Sequence, residues 1–151
     1  MIMQLGGYSI SRELYAHIIS NHKIVLELGS GVGTELLSDH CKMYSIEHDK
    51  RYVGKYNSTY YHAPIVNGWY DVSKLHTIPM KYDCLLIDGP PGYIGRQKII
   101  EHMDLFNLNA EIIVDDCQRN EEMRLSQEIS DFLNRPGKYV NCEDGKTFCI
   151  I

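Results

Sequence analysis

An apolar run, Ile24-Val25-Leu26-Glu27-Leu28, empties into a turn with glycine at every second position, Gly29, Gly31 and Gly33. The next apolar run, Met43 to Ile46, ends on Glu47. No other feature of the chain restricts its fold as much. Strand, turn, helix and strand make a βαβ unit, and a turn stripped of side chains lets a ligand approach the backbone closely. The carboxylate that arrives one βαβ step later falls where a ribose diol would lie. Together the two features describe a site for a nucleoside-bearing cofactor.

The turn also says which cofactor. Dinucleotide sites use G-x-G-x-x-G, so that a pyrophosphate rests on the N-terminus of the following helix. Here the order is Glu27-x-Gly29-x-Gly31-x-Gly33, with an acid inside the strand. That acid would repel a pyrophosphate, but it suits the ammonium and sulfonium of S-adenosylmethionine (SAM). With its neighbours the segment resembles motif I of the class I methyltransferases, and Glu47 resembles their ribose-binding acid. The resemblance implies cofactor contacts from Glu27, Gly29, Ser30, Gly31, Gly33, Thr34, Glu47 and His48. The plain alternative is a glycine-rich strand-to-helix turn that binds nothing.

Size and charge narrow the classes. The chain has 151 residues, enough for one α/β domain over residues 1–151 and not for a second. Net charge is −5 without a basic cluster, so a duplex nucleic acid, which needs a Lys/Arg stripe, is not the expected partner. The five cysteines are odd in number, spread out and free of C-x-x-C spacing, as in reduced core thiols of a cytoplasmic protein. Neither a signal-peptide h-region nor a bilayer-spanning run is visible. The seven histidines show no H-x-H or H-x-x-x-H spacing.

Periodicity predicts a short helix after Ser11, strands at 24–29 and 42–47 with a helix at 34–40 between them, and a Tyr- and Lys-rich helix at 49–57. A third strand is expected at 60–66, interrupted by Pro64. A short helical turn follows at 71–75, then a strand at 82–87 ending at Asp88 and a helix at 95–106. Residues 110–114 make a fifth strand ending at Asp115. The helix at 121–134 carries Leu125, Ile129, Phe132 and Leu133 as its stripe, and Pro136-Gly137 stops it. The last segment reads as a hairpin turned by Asp144-Gly145. The expected fold is a doubly wound, mostly parallel seven-stranded α/β sheet with a C-terminal antiparallel hairpin strand. That order is similar to the class I methyltransferase core over nearly the whole chain. Within that class it looks most like small O-methyltransferase-like proteins with a D-G-P-P-G loop, here Asp88 to Gly92. Gly6-Gly7-Tyr8-Ser9-Ile10 and Asp115-Asp116-x-x-Arg119 share in it, with a looser similarity to enzymes that methylate plant cell-wall polysaccharides.

In open α/β sheets catalytic groups gather beyond the carboxyl ends of the strands. Asp88, Asp115 and Asp116 fall there, and three such oxygen donors are able to hold Mg²⁺ or Ca²⁺. This resembles the divalent-metal catechol-type O-methyltransferases, with two departures: Asp116 stands where Asn is usual, and no lysine follows the fourth-strand Asp. Asp115 and Asp116 equally suit an N-cap and an ion pair with Arg119. Tyr93 and Arg96, in the stiff Pro90-Pro91 loop, are candidate substrate contacts or part of a plain strand-to-helix connection. The resemblance places His62 and Ala63 against adenine. An exposed Trp69-Tyr70 pair would stack on adenine or a sugar, or cover the core edge. Gly6 to Ile10, with Ser9, would close over the methionine carboxylate or simply lead into the first helix.

The expected activity is SAM-dependent methyl transfer to an oxygen of a small molecule or glycan, in the cytoplasm. No insertion long enough for a substrate lid is present, which suggests a homodimer or an extended acceptor. The alternatives are a silent SAM-binding partner or sensor, an aminopropyltransferase and an NAD-dependent enzyme.

Overall fold

The structure, a computed structural model, describes residues 10–151. Gly6 to Ser9, expected to close over the cofactor's carboxylate, lie outside the described residues. Helix α1 (Arg12–Asn21) starts at Ser11, whose hydroxyl accepts the Leu14 amide and fills the N-cap role. Seven strands form one sheet in the order β3-β2-β1-β6-β7-β9-β8. They are β1 (Ile24–Leu28), β2 (Lys42–Glu47), β3 (Thr59–His62), β6 (Cys84–Ile87), β7 (Glu111–Val114), β8 (Lys138–Asn141) and β9 (Thr147–Ile150). β1, β2, β3, β6 and β7 run parallel, while β9 pairs antiparallel with β7 and with β8. This is the doubly wound sheet with an inserted hairpin strand.

Alternation along the strands sends side chains to two cores. Val25, Cys84, Leu86, Ile113 and Phe148 meet Leu14 and Ile18 of α1 and Leu37 of α2 (Val32–Leu37) on one face. Leu26, Leu28, Leu85, Ile87 and Ile112 meet Ile99, Met103, Leu125 and Ile129 on the other. The last two of these lie on α3 (Asn120–Leu133). Chain order reverses between β1 and β6, which are adjacent although β2 and β3 of the same sheet lie between them in sequence. In such sheets a crevice opens at that switch point, beyond the carboxyl ends of the strands.

Four local expectations are corrected. Residues 49–57 form turns rather than a helix: Asp49 takes the Arg51 amide on its own side chain, and Gly54 sits at φ +78. The segment has no apolar stripe to hold a helix against the core. The 60–66 strand divides at Pro64, which has no amide to donate. Its first half stays in the main sheet, and β4 (Ile65–Val66) folds back on β5 (Trp69–Tyr70) through Asn67 and Gly68, both at positive φ. The 95–106 helix becomes 3₁₀ turns over Gln97–Leu105 with a break at His102. In α3, Phe132 is exposed, and the stripe runs through Leu125, Ser126 and Ile129; the helix ends on Asn134 in the left-handed conformation, before Pro136.

The Trp69-Tyr70 pair is not exposed. Trp69 is stacked on the His102 ring, with centroids 5.1 Å apart, and Tyr70 is buried with its hydroxyl against Gly89. The core-covering alternative is the one realised.

Candidate functional site

A cavity of about 580 Å³ opens at the switch point. The β1–α2 turn forms one wall, the residues after β6 form another, and Gln118, Arg119 and Lys146 approach from the hairpin side. Two glycines of the turn have different reasons to be there. Gly29 stands at φ +90, and a Cβ on it would lie 2.6 Å from the Asp88 carbonyl oxygen. Glycine is what lets the turn cross the end of β6. Gly31 has extended backbone, and a Cβ on it would meet nothing within 4 Å. Its missing side chain leaves room in the cavity for something other than protein.

Glu27 and Glu47 both line that space. Glu47 ends β2; its Oε1 accepts the Ser30 amide at 2.9 Å and its Oε2 the Asp49 amide at 2.7 Å. His48 Nδ1 lies 3.1 Å from the same Oε2. The carboxylate is thus held rigidly beside the glycine turn. Glu27 is more deeply set, with its Oε2 accepting from Thr34 at 2.6 Å and from Ser45 at 2.5 Å. Burial pushes its pKa up to about 8, the two hydroxyls oppose this in part, and the neighbouring Glu47 charge adds to it. Ser30 is braced in turn by the hydroxyls of Tyr60, at 2.8 Å, and Thr34, at 3.1 Å.

Across the cavity lie Asp88 and Asp116, with Asp115 behind them. One oxygen from each lies within 4.8 Å of the others. Arg96 is only 3% exposed and sits among them. Its Nη1 is 3.1 Å from Asp116 Oδ2, its Nη2 is 3.5 Å from Asp88 Oδ1, and its Nε donates to the Pro90 carbonyl at 2.9 Å. Asp115 Oδ1 accepts the Asp116 amide at 2.8 Å, and Arg119 Nη2 lies 2.6 Å from Asp116 Oδ2. Burial and then the Asp115 charge raise the Asp88 pKa well above the carboxylate range, against the pull of Arg96. Burial and Asp116 raise Asp115 to about 6. Asp116 goes the other way despite its burial, because Arg96 and Arg119 favour its charge.

This donor set does not fit Mg²⁺. A guanidinium already supplies the positive charge between Asp88 and Asp116, and one oxygen of Asp115 is committed to a backbone amide. The pairing of Asp116 with Arg119 was one of the plain alternatives in the sequence. Asp115 is buried behind the cavity, so it does not face the space where a substrate would sit. Arg96 is drawn inward as the counter-ion of the cluster, while Tyr93 stands 86% exposed on the rim.

Gly29, Ser30, Gly31, Gly33, Thr34, Glu47, His48 and Asp88 all line the cavity. His62 and Ala63 do not: Ala63 is in the core, and His62 Nε2 faces the His48 carbonyl at 3.2 Å. Sequence reasoning missed Ser45, Tyr60, Tyr52 and Lys146. Ser45 was legible in principle, as a lone hydroxyl inside an apolar strand paired in register with an acid.

No family model matches the chain, and no curated protein sequence matches it. Solved structures do. A methyltransferase from Pyrococcus furiosus superposes with a TM-score of 0.62 at 16% identity, over 92% of this chain and 79% of that one. Cofactor-bound Rv0187 from MTB gives 0.66 at 12% identity, over 97% and 82%. A putative caffeoyl-CoA O-methyltransferase from Staphylococcus aureus gives 0.56 at 14%, over 93% and 84%.

Proposed function

We propose that this chain, which has the class I methyltransferase fold of a seven-stranded mostly parallel sheet closed by an antiparallel strand pair, is a SAM-dependent methyltransferase acting on a hydroxyl of a small molecule or glycan. Two acids on one wall carry the proposal: Glu27 and Glu47 flank a turn in which Gly31 leaves open space. Glu47, fixed by two amides, is placed to accept from a ribose diol. Glu27 is placed to balance the positive end of the cofactor, and the backbone of Gly29, Ser30 and Gly31 gives close approach.

Bound SAM would supply an electrophilic methyl group on a sulfonium. The chain's part is to align an acceptor oxygen with that methyl, exclude water and receive the hydroxyl proton. Asp88 is the candidate base, with a proton affinity raised by burial and by Asp115. Tyr93 on the rim is a candidate acceptor contact that suits a sugar ring. The cavity is open on that side, which supports an extended acceptor or a homodimer that completes the pocket. No step is assigned to a metal.

The Arg96 contact with Asp88 favours a second reading, a SAM-binding protein without turnover. Calorimetric titration with SAM and with NAD, followed by methyl-transfer assays on Asp88→Asn, tests both. A methyltransferase binds SAM and not NAD, and Asp88→Asn loses turnover while keeping SAM affinity. Failure of SAM to bind at millimolar concentration overturns both readings.

A further inference from the structure

A second cluster lies at the other end of the sheet, where the parallel strands begin. His17 on α1, His22 just before β1 and Glu111 at the start of β7 converge, with Asp83 just before β6 beside them. His17 Nε2 is 2.5 Å and His22 Nε2 is 2.9 Å from the same oxygen, Glu111 Oε1. The two rings stand edge to face with centroids 5.8 Å apart.

His22 is the telling residue. It is 91% buried by its 9% residual exposure, and its Nδ1 has no hydrogen-bond partner although Asp83 Oδ1 lies 3.4 Å away. Its ring is therefore flanked by a carboxylate at each nitrogen. A neutral imidazole carries one proton, so either tautomer leaves a lone pair facing a carboxylate. A cation between the rings and Glu111 removes the conflict. Nδ1–H then points at Asp83, and Nε2 becomes a ligand, in the carboxylate–histidine–metal arrangement of many protein sites.

We propose that His17, His22 and Glu111, oriented by Asp83, form a binding site for a divalent transition-metal ion of the Zn²⁺ class. The donor atoms His17 Nε2, His22 Nε2 and a Glu111 oxygen all lie within 4.8 Å of one another. Metal–ligand distances of about 2 Å in a tetrahedral site set donor atoms roughly 3.3 Å apart, so the Glu111 oxygen, now 2.5 and 2.9 Å from the two nitrogens, would back away by less than about 1 Å, within reach of side-chain rotation. Two imidazole nitrogens select Zn²⁺, Co²⁺ or Ni²⁺ over Mg²⁺ or Ca²⁺. Glu111 and Asp83 together neutralise a divalent ion. The side chains of His17 and Glu111 are 22% and 29% exposed, which gives the ion an entry path and a place for water. The ion would staple α1 to the leading edges of β1 and β7, and it does not depend on what the cavity binds.

The test uses the full chain stripped with a chelator, then titrated with Zn²⁺ by calorimetry and with Co²⁺ by visible absorption. One equivalent of Zn²⁺ is expected, with the d–d bands of low-coordinate Co²⁺. At a hundredfold excess over Kd the melting temperature should rise by roughly 5–10 °C. Asp83→Asn should weaken binding by roughly 10–100-fold, and Glu111→Gln, which keeps the shape of the site, should remove the Co²⁺ bands. Should His22 variants fail to fold, His17→Gln provides the same readout from the more exposed ligand. Absence of stoichiometric binding overturns the assignment. Binding that survives Glu111→Gln and His17→Gln together also overturns it, because the ion is then held elsewhere.

Discussion

Glu27 and Ser45 are register partners on adjacent parallel strands, and the Ser45 hydroxyl donates to Glu27 Oε2 across the gap at 2.5 Å. A buried acid is thereby kept in place without being given a counter-charge. Burial raises its pKa to about 8, against the pull of the Ser45 and Thr34 hydroxyls.

The empty protein therefore holds a proton on Glu27 at neutral pH, whereas a cationic ligand favours the carboxylate. SAM affinity should rise with pH until it levels off above about 8, by up to tenfold per pH unit. Proton release on binding, read by calorimetry in buffers of different ionisation enthalpy, checks this.

Stability of the ligand-free protein should run the other way. The unfolded acid titrates near 4.5 and the folded one near 8, so between them the unfolded state binds fewer protons. Stability from this group is present below 4.5 and is lost as pH rises through about 8. Glu27→Gln should flatten that slope in urea melts, with a gain on the order of a few kcal/mol at alkaline pH.

The two turn glycines should separate folding from binding. Gly29→Ala, with positive φ and a close backbone oxygen, should cost about 2–4 kcal/mol or more of stability. Gly31→Val should melt within about 1 kcal/mol of the parent, yet lose most of its SAM affinity. Equal effects of the two on stability would show that Gly31 is there for the fold.

Glu47→Ala removes the acceptor for the Ser30 and Asp49 amides as well as the ribose contact. SAM affinity should drop by roughly 10²-fold or more, with a smaller loss of about 1–3 kcal/mol in stability. Titration calorimetry and denaturant melts separate the two.

Arg96→Ala leaves Asp88, Asp115 and Asp116 without their shared counter-ion. The loss should be about 3–5 kcal/mol at pH 8 and smaller at pH 5, where Asp115 takes up its proton. Denaturation at the two pH values measures it.

Much of the frame was legible because the signals were local. Apolar runs placed the parallel strands, and the spacing of Glu27, Glu47 and Asp88 put three acids at the carboxyl edge. What escaped was tertiary in origin. Lys50 to Tyr56 has helix-forming residues but nothing to bury, so turns won. Trp69 and Tyr70 looked like a surface pair until the hairpin after Pro64 turned Trp69 onto His102 and Tyr70 against Gly89. Arg96 reads as a loop cation, and only the meeting of two strand ends, those of β6 and β7, shows that it serves the carboxylates. His22 and Glu111 are 89 positions apart, so no sequence spacing could have joined them.

Trp69 is the single tryptophan of the chain, and it sits edge to face with Tyr70, whose hydroxyl abuts Gly89 on the cavity wall. The molecule thus carries its own optical gauge. Emission from one indole reports on the backbone beside Asp88, so occupancy of the crevice can be followed in unlabelled protein by a change in fluorescence.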